Sequence, residues 1–388
     1  MTTTPDTDTD IAGADERAML RDAALRYVER DYPMAARRVA LASSDGFSRE
    51  RWRAFADMGW LALGLPEDCG GIGDAADAEV VAHALGRALA LEPWLANVGL
   101  AAPLLAGLRA SVGPGSGESC RALLAGLAAG ETLLAVGAWE PQGRHDAFDV
   151  TTRATRTARG WRLDGVKTLV LGGAAADVLL VVARESGEAR DRRGLSAFAV
   201  PAETPGLARR GHPTYDGRQT ADLRLDGVDL PADALLGEPG GAWAALEAAI
   251  DHATALGCAE AVGTMERVLE TTRAYLQQRR QFGRTLVSNQ VLRHRLVDLW
   301  VPIEQARAIA GAAVARLGDT ADARRRAVSI AKAYVSPAAR RCGEEGIQLH
   351  GAIGMTDETE IGQAAKRLIG FANLLGDEAW HLERVVPA

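Results

Sequence analysis

Few side chains in this 388-residue chain are of a type and spacing that could do chemistry together. Asp251 and His252 are adjacent, and a histidine is a reasonable proton acceptor near neutral pH. On residue type alone each reads as a solvent-facing or capping residue in the N-terminal half of a helix. Arg279 and Arg280 precede Phe282-Gly283 and read, in isolation, as a solvated helix face beside a core-packed phenylalanine. Cys69, Cys120, Cys258 and Cys342 are far apart and match no C-x-x-C spacing, so reduced thiols in a cytoplasmic protein are expected and no metal site is. Gly70-Gly71-Ile72-Gly73 is glycine-rich but does not open a βα unit, and is no dinucleotide fingerprint.

Composition bounds what must hold these residues in place. Apolar residues make up 47% and charged residues 24%, ordinary for a globular chain with a sizeable core, and the length predicts two or three domains. Net charge is −7, with basic residues interleaved among acidic ones as in Glu29-Arg30-Asp31, so no nucleic-acid partner is expected. No apolar run reaches eighteen residues, and no membrane span is expected.

Residues 1–15 are Thr- and Asp-rich and read as a disordered leader. Residues 16–134 form a helical block, with Leu20, Ala23, Ala24 and Tyr27 on one face and glycine-rich turns at 70–73 and 113–117. Residues 135–238 switch to a period of two, as in Trp161-Arg162-Leu163-Asp164, and read as a β-domain. Residues 239–388 return to three-four spacing, with Val262, Met265, Leu269, Thr272 and Leu276 in one helix and Leu292, Leu296, Leu299 and Ile303 in the next. Pro302 predicts a kink, and a third helix is expected over roughly 321–349. The order is α+β: an N-terminal helical domain, a central β-domain and a C-terminal four-helix bundle.

Four motifs narrow the reading. They are Met58-Gly59-Trp60-Leu61 with Leu65-Pro66-Glu67-Asp68-Cys69; Trp161-Arg162-Leu163-Asp164-Gly165-Val166-Lys167 with Asp226-Gly227-Val228-Asp229-Leu230-Pro231; Arg279-x-x-Phe282-Gly283 with Gln290; and Gln348 to Gly354. In this order, across about residues 16–388, they resemble the acyl-CoA dehydrogenase family. His212-Pro213-Thr214-Tyr215-Asp216-Gly217 and Gly376-Asp377-Glu378-Ala379-Trp380-His381-Leu382 resemble the small subunit of pimeloyl-CoA dehydrogenase, one half of a two-component enzyme.

The resemblance implies the family's fold and FAD as cofactor, with Arg279, Phe282, Gln290, Gln348, Gly351 and Gly354 as cofactor-binding residues. Arg279 would reach the pyrophosphate of an FAD held by a neighbouring subunit, a role suited to a forked, permanently charged guanidinium. The substrate would be an acyl thioester on CoA or a carrier protein, dehydrogenated at its α,β-carbons. Partners would be a homo- or hetero-oligomer with a related subunit, and an electron-transfer flavoprotein.

The chain departs from the family where proton abstraction is expected. The family's glutamate corresponds to Leu375, its second known base position to Ala253, and the arginine that usually follows the latter to Thr254. Trp139 stands before Glu140-Pro141 in place of threonine. The loop Gln142-Gly143-Arg144-His145-Asp146 is altered, and Thr168 and Val170 correspond to the residues that flank the flavin ring. Three functions follow: a subunit of a heteromeric dehydrogenase; a self-sufficient flavoenzyme whose displaced base is Asp251 or His252; or a non-catalytic scaffold that has lost FAD.

Overall fold

The structure, a computed structural model, describes residues 7–112, 117–356 and 359–386. The N-terminal part holds α1 (Thr7–Asp31), α2 (Met34–Leu41), α3 (Arg49–Asp57), α4 (Ala75–Arg87), a π-helical segment (Leu95–Ala101), α5 (Ala102–Ala110) and α6 (Glu118–Ala128). α4 starts at a capping box, where Asp74 accepts from the backbone of Asp77 and Asp77 accepts from that of Asp74, so two otherwise orphaned donors are satisfied. α1 begins inside the stretch expected as a disordered leader. Once a helix is nucleated, each added residue gains a hydrogen bond, and the amphipathic Glu16–Asp31 segment supplies the nucleus. Residues 1–6 of that leader, and 113–116 of the expected second turn, lie outside the described residues.

The middle of the chain folds as one mixed sheet in the order β6-β7-β3-β2-β4-β5-β8, with β1 parallel to β4. Its strands are β1 (Leu134–Gly137), β2 (Arg153–Thr157), β3 (Gly160–Leu171), β4 (Val178–Arg184), β5 (Leu195–Pro201), β6 (Leu207–Pro213), β7 (Gln219–Pro231) and β8 (Leu235–Leu236). Alternation along β4 and β5 sends neighbouring residues to two cores. Leu180, Val182 and Ala197 join the helices, while Leu179, Val181 and Phe198 pack with Trp161 and Leu230 inside the β-domain, the period-two pattern in three dimensions.

Beyond the sheet come α7 (Trp243–Gln278), a small hairpin of β9 (Arg280–Gln281) and β10 (Arg284–Thr285), α8 (Gln290–Val314), α9 (Ala321–His350), α10 (Glu360–Asn373) and α11 (Glu378–Val385). Pro302 lies inside α8, which continues to Val314. α7 is the axis of the molecule. It crosses α4 where two glycines let the backbones meet: a Cβ on Gly86 would lie 1.9 Å from the Glu260 carbonyl oxygen, and one on Gly263 2.0 Å from that of His83. The Thr264 hydroxyl donates to Gly86 O at 2.8 Å across this crossing.

The three parts are also tied by buried charge. Asp216, in the β6–β7 turn, meets Arg367 of α10 at 2.5 Å and Arg218 at 2.8 Å. Glu260 of α7 meets Arg367 at 2.6 Å, and Arg37 of α2 donates to Asp216 O at 2.7 Å. The guanidinium groups hold the Asp216 carboxyl well below its usual range against the opposing effect of burial. Burial brings Arg37 down to about 10. No helix among the described residues is long and apolar enough to cross a membrane, and no group of three His, Cys, Asp or Glu there could hold a metal ion.

Candidate active site and cofactor end

α10 stops at Asn373, and the chain turns through Leu374-Leu375-Gly376 into α11. Leu375 is 9% exposed, part of the main core, and has φ 58°, a left-handed conformation that costs a β-carbon-bearing residue about 1–2 kcal/mol. Two buried donors hold the turn. His381 Nε2 lies 3.0 Å from Leu375 O; a carbonyl can only accept, so this nitrogen carries the proton, and Nδ1 accepts from Ser329 Oγ at 3.2 Å. Lys332 Nζ donates to Gly376 O at 2.8 Å, to Phe371 O at 2.9 Å and to Ser336 Oγ at 3.0 Å. Its ammonium lies 4.4 Å from the Phe371 ring centre and satisfies the carbonyls at the end of α10, where a positive charge is favourable. Burial lowers Lys332 to about 8. Burial and the neighbouring Lys332 and Arg384 charges push His381 down to about 2. Lys332 was not legible as a functional residue; its one signal is a lysine within the apolar run Ile330 to Ala333.

The second position at which the resemblance leads one to expect a base is equally apolar. Ala253 is buried in α7, and its Cα lies 3.7 Å from where a Cβ on Gly99 would stand. Asp251 neither faces solvent nor caps a helix. It is fully buried, with one carboxylate oxygen 3.0 Å from Arg324 Nε and the other 2.9 Å from Arg384 Nη2. His252 Nδ1 donates to Gly99 O in the π-helical segment at 2.9 Å, which leaves Nε2 with the lone pair, and burial lowers its pKa. The expected solvent face does not exist because α7 is enclosed by α4, α5, α9 and α10, and periodicity within one helix cannot report how many neighbours surround it.

The wall toward the β-domain is fixed by a buried ion pair. Lys167 Nζ and Glu140 Oε1 are 2.7 Å apart with both side chains wholly enclosed. Glu140 also accepts from the backbone amides of Thr151 at 2.8 Å and Thr152 at 3.0 Å. Lys167 and these donors hold Glu140 down to about 2 although burial opposes it, whereas burial brings Lys167 to about 8 against the pull of Glu140. Next to this pair Thr168 N donates to Trp139 O at 2.9 Å. Val170 is buried in the β-domain core. The side chain that projects from this segment is Leu169, 58% exposed with φ 51°, at an irregularity in the β3–β7 pairing between Lys167 and Val170. Thr168 is half-buried, so at the two positions that correspond to the family's ring-flanking residues neither side chain projects freely, and a bulge makes Leu169 the residue that faces outward.

In front of the Leu375 turn, the 142–149 loop and α11 meet. Trp380 Nε1 donates to Asp146 Oδ1 at 2.9 Å, and His145 Nε2 stands 3.5 Å from Asp377 Oδ2. Beside them opens a cleft of about 580 Å³, lined among others by Phe148, Arg192, Trp243, Arg325 and Arg384.

The residues that the resemblance assigned to FAD lie at the far end of the bundle. Phe282 and Gly283 form the two-residue tip of the β9–β10 hairpin with φ 50° and 78°, the geometry of a type I′ turn. Phe282 is 100% exposed rather than packed in the core, because the turn aims it outward. Arg279 at the end of α7, Gln290 at the start of α8, and Gln348 are exposed too. Gly351 has φ 65° with nothing within 4 Å of a would-be Cβ, while Gly354 is packed on Ile347 and His350. Tyr275 stacks on His350 with ring centres 4.4 Å apart, joining the ends of α7 and α9, so the structure gathers all six residues at one end. This end fits a dinucleotide's phosphates, with an exposed guanidinium beside an open glycine backbone. At 1.5 Å per helical residue, Arg279 lies about 39 Å along α7 from Ala253.

A helical domain, a β-domain and a helical bundle in this order, with an arginine–phenylalanine–glycine hairpin at one end of the bundle, form the architecture that the sequence resemblance to a flavoprotein oxidoreductase implies. The comparisons make the class specific. Residues 14–131, 135–228 and 240–386 match the N-terminal, middle and C-terminal domains of acyl-CoA dehydrogenase. The chain is 31% identical to acyl-CoA dehydrogenase IpdE2 of Mycobacterium tuberculosis, covering 93% of each. It is 30% identical to the mitochondrial long-chain specific acyl-CoA dehydrogenase of Sus scrofa, covering 82% of this chain and 74% of that one. It superposes on a chain of the ChsE4-ChsE5 complex from Mycobacterium tuberculosis with TM-score 0.83, 27% identity and coverage of 100% and 99%, and on a probable acyl-CoA dehydrogenase from Mycobacterium abscessus with TM-score 0.85, 25% identity and coverage of 99% and 98%. The chain belongs to the acyl-CoA dehydrogenase family.

Proposed function

We propose that this chain is a partner-dependent subunit of a heteromeric acyl-CoA dehydrogenase. It contributes the Arg279, Phe282, Gln290, Gln348, Gly351 and Gly354 end to an FAD held mainly by a related subunit, and that subunit supplies the base. When bound, FAD would supply the hydride acceptor for the β-carbon of the thioester, and removal of the α-proton would fall to a base from the related subunit, because Leu375 and Ala253 carry none. The observation that carries the reading is that both positions where a base is expected hold buried apolar side chains, Leu375 and Ala253, while the cofactor end is kept. Arg279 stands about 39 Å along α7 from Ala253, so this end serves a site completed by a neighbouring subunit. A neighbour solved as the ChsE4-ChsE5 complex and the resemblance of 212–217 and 376–382 to the small subunit of a two-component enzyme favour this assembly over a self-sufficient enzyme. Asp251, neutralised between two arginines, and His252, whose basicity burial lowers, are poor substitutes for a free carboxylate base.

The test is to purify the chain alone and co-expressed with a paralogue that carries the glutamate, then measure flavin absorbance per chain and acyl-CoA oxidation with an artificial acceptor. The expected result is little FAD and no turnover alone, and one FAD per pair with turnover in the mixture. A flavin-saturated homo-oligomer that turns over unaided would sink the proposal.

A further inference from the structure

The 376–382 segment contains a tryptophan that the catalytic reading leaves without a task. Trp380 is held on four sides. Its ring lies on Gly376, where an added Cβ would come within 2.5 Å of Trp380 Cε3 and 2.6 Å of His381 Nε2; glycine is needed there both for its φ of 112° and for this contact. Its N–H reaches across to Asp146 of the β-domain loop at 2.9 Å, and the other Asp146 oxygen is 2.9 Å from Arg190. Arg384 stands 4.7 Å above the ring and is anchored by Asp251 at 2.9 Å. His145 adds a tilted ring contact at 6.0 Å and meets Asp377. Trp380 and His145 both line the arginine-rich cleft, while Gly376 and His381 behind them adjoin Leu375. The indole therefore stands between the cleft and the Leu375 turn, spanning from the bundle to the β-domain.

We infer that Trp380, bonded to Asp146, is an excluding residue: it fills the space between the cleft and the Leu375 turn, so that the acyl chain of a thioester seated in the cleft cannot reach Leu375 and this chain does not hold substrate in a half-site with no base. The inference rests on the acyl-thioester reading above. It gives Asp251 a task although it is no base: it fixes Arg384, and Arg384 fixes the ring. The indole N–H, Asp146 and Arg190 form a charge-assisted chain.

The experiment uses the full-length chain, calorimetric binding of free CoA and of hexanoyl-CoA, and hydrogen–deuterium exchange of 142–149 and 376–386. In the native chain the two ligands should bind within about threefold of each other, because the acyl group finds no pocket. W380A should release both segments to faster exchange and tighten hexanoyl-CoA by tenfold or more while free CoA changes by less than about threefold, since each newly buried methylene adds to affinity. W380L, which keeps apolar packing on Gly376 in a smaller volume, serves if W380A does not fold and should show the same acyl-selective gain. A native chain that already binds hexanoyl-CoA tenfold tighter than CoA overturns the inference, as do variants with released segments and no acyl-selective gain. Neither result depends on FAD loading with a paralogue, so failure here and failure of the heteromeric reading are read separately.

Discussion

Replacing Glu140 by Gln removes the partner of a wholly enclosed ammonium and tests whether the Glu140–Lys167 pair positions the wall of the site. Glu140 meets Lys167 at 2.7 Å, and Lys167's other bond is to Ala138 O at 3.2 Å, so the variant leaves a nearly unpaired buried charge. Breaking such a pair from one side costs about 3–5 kcal/mol. The loss is bounded because burial has already brought Lys167 to about 8, and without Glu140's attraction the amine can lose its proton to escape the penalty. The cost is therefore smaller at neutral than at acidic pH. In the variant the unfolded lysine, near 10.4, binds the proton that the folded one gives up, so stability falls by about 1.4 kcal/mol per unit as pH drops from 7 toward the new folded pKa. The native protein lacks that slope between pH 7 and 5 from Glu140, whose depressed pKa of about 2 keeps its contribution intact above about 4.5 and loses it as pH falls through about 2. Urea unfolding followed by far-UV circular dichroism should show E140Q losing about 3 kcal/mol at pH 7 and more at pH 5, with the K167M/E140Q pair recovering about 2 kcal/mol of the summed single losses. Single losses under about 1 kcal/mol at both pH values, or strict additivity in the pair, would refute the argument.

Three further outcomes can be checked. His381, held neutral with a pKa near 2, binds a proton only when unfolded as pH falls below about 6.5, so native stability should decline by about 1.4 kcal/mol per unit over part of that range; H381Q should flatten this slope in acid titrations followed by tryptophan fluorescence. Asp251→Asn leaves Arg324 and Arg384 without their shared carboxylate and should cost about 3–5 kcal/mol in urea unfolding, with faster hydrogen exchange in α11; unchanged exchange there would show that the clamp does not hold this helix. Gly263→Ala drives a methyl to 2.0 Å from His83 O, and because backbone cannot yield as a flexible side chain can, its loss in thermal or urea stability should exceed the roughly 1 kcal/mol gain in helix propensity several-fold.

The large elements were legible because hydrophobic period is a local property. Val262, Met265, Leu269 and Thr272 repeat at helical spacing and lie in α7, and Trp161 and Leu163 alternate with Arg162 in β3. Leu375 and Ala253 were legible as apolar residues at expected base positions, since a side-chain type needs no coordinates. What escaped was burial from several directions and the local irregularity of backbone. Asp251 looked surface-bound because its partners, Arg324 and Arg384, lie on two other helices. Phe282 looked like core because nothing in its residue type shows that a hairpin tip points it outward. Leu169 was displaced from inward to outward by a bulge at Lys167–Val170, a shift invisible to a strict two-residue count. The Trp380–Asp146 bond joins positions 234 residues apart, beyond any spacing rule.

The α4–α7 glycine crossing sets a timetable for biosynthesis. Gly86 and Thr264 touch across 178 residues of chain, and all of the β-domain is made between them. At ribosomal speeds of about 5–20 residues per second, the face of α4 that receives α7 waits roughly 9–36 s before its mate exists. During that interval the N-terminal helices have no bundle against which to bury Val81, Ala82 and Leu85, residues that end in the core shared with α7. The nascent chain is then a half-built core with an uncovered helix face until α7 emerges. The sheet, whose second core draws on residues 135–234, can close much of that core first, so it ripens between two halves of a domain that is finished last.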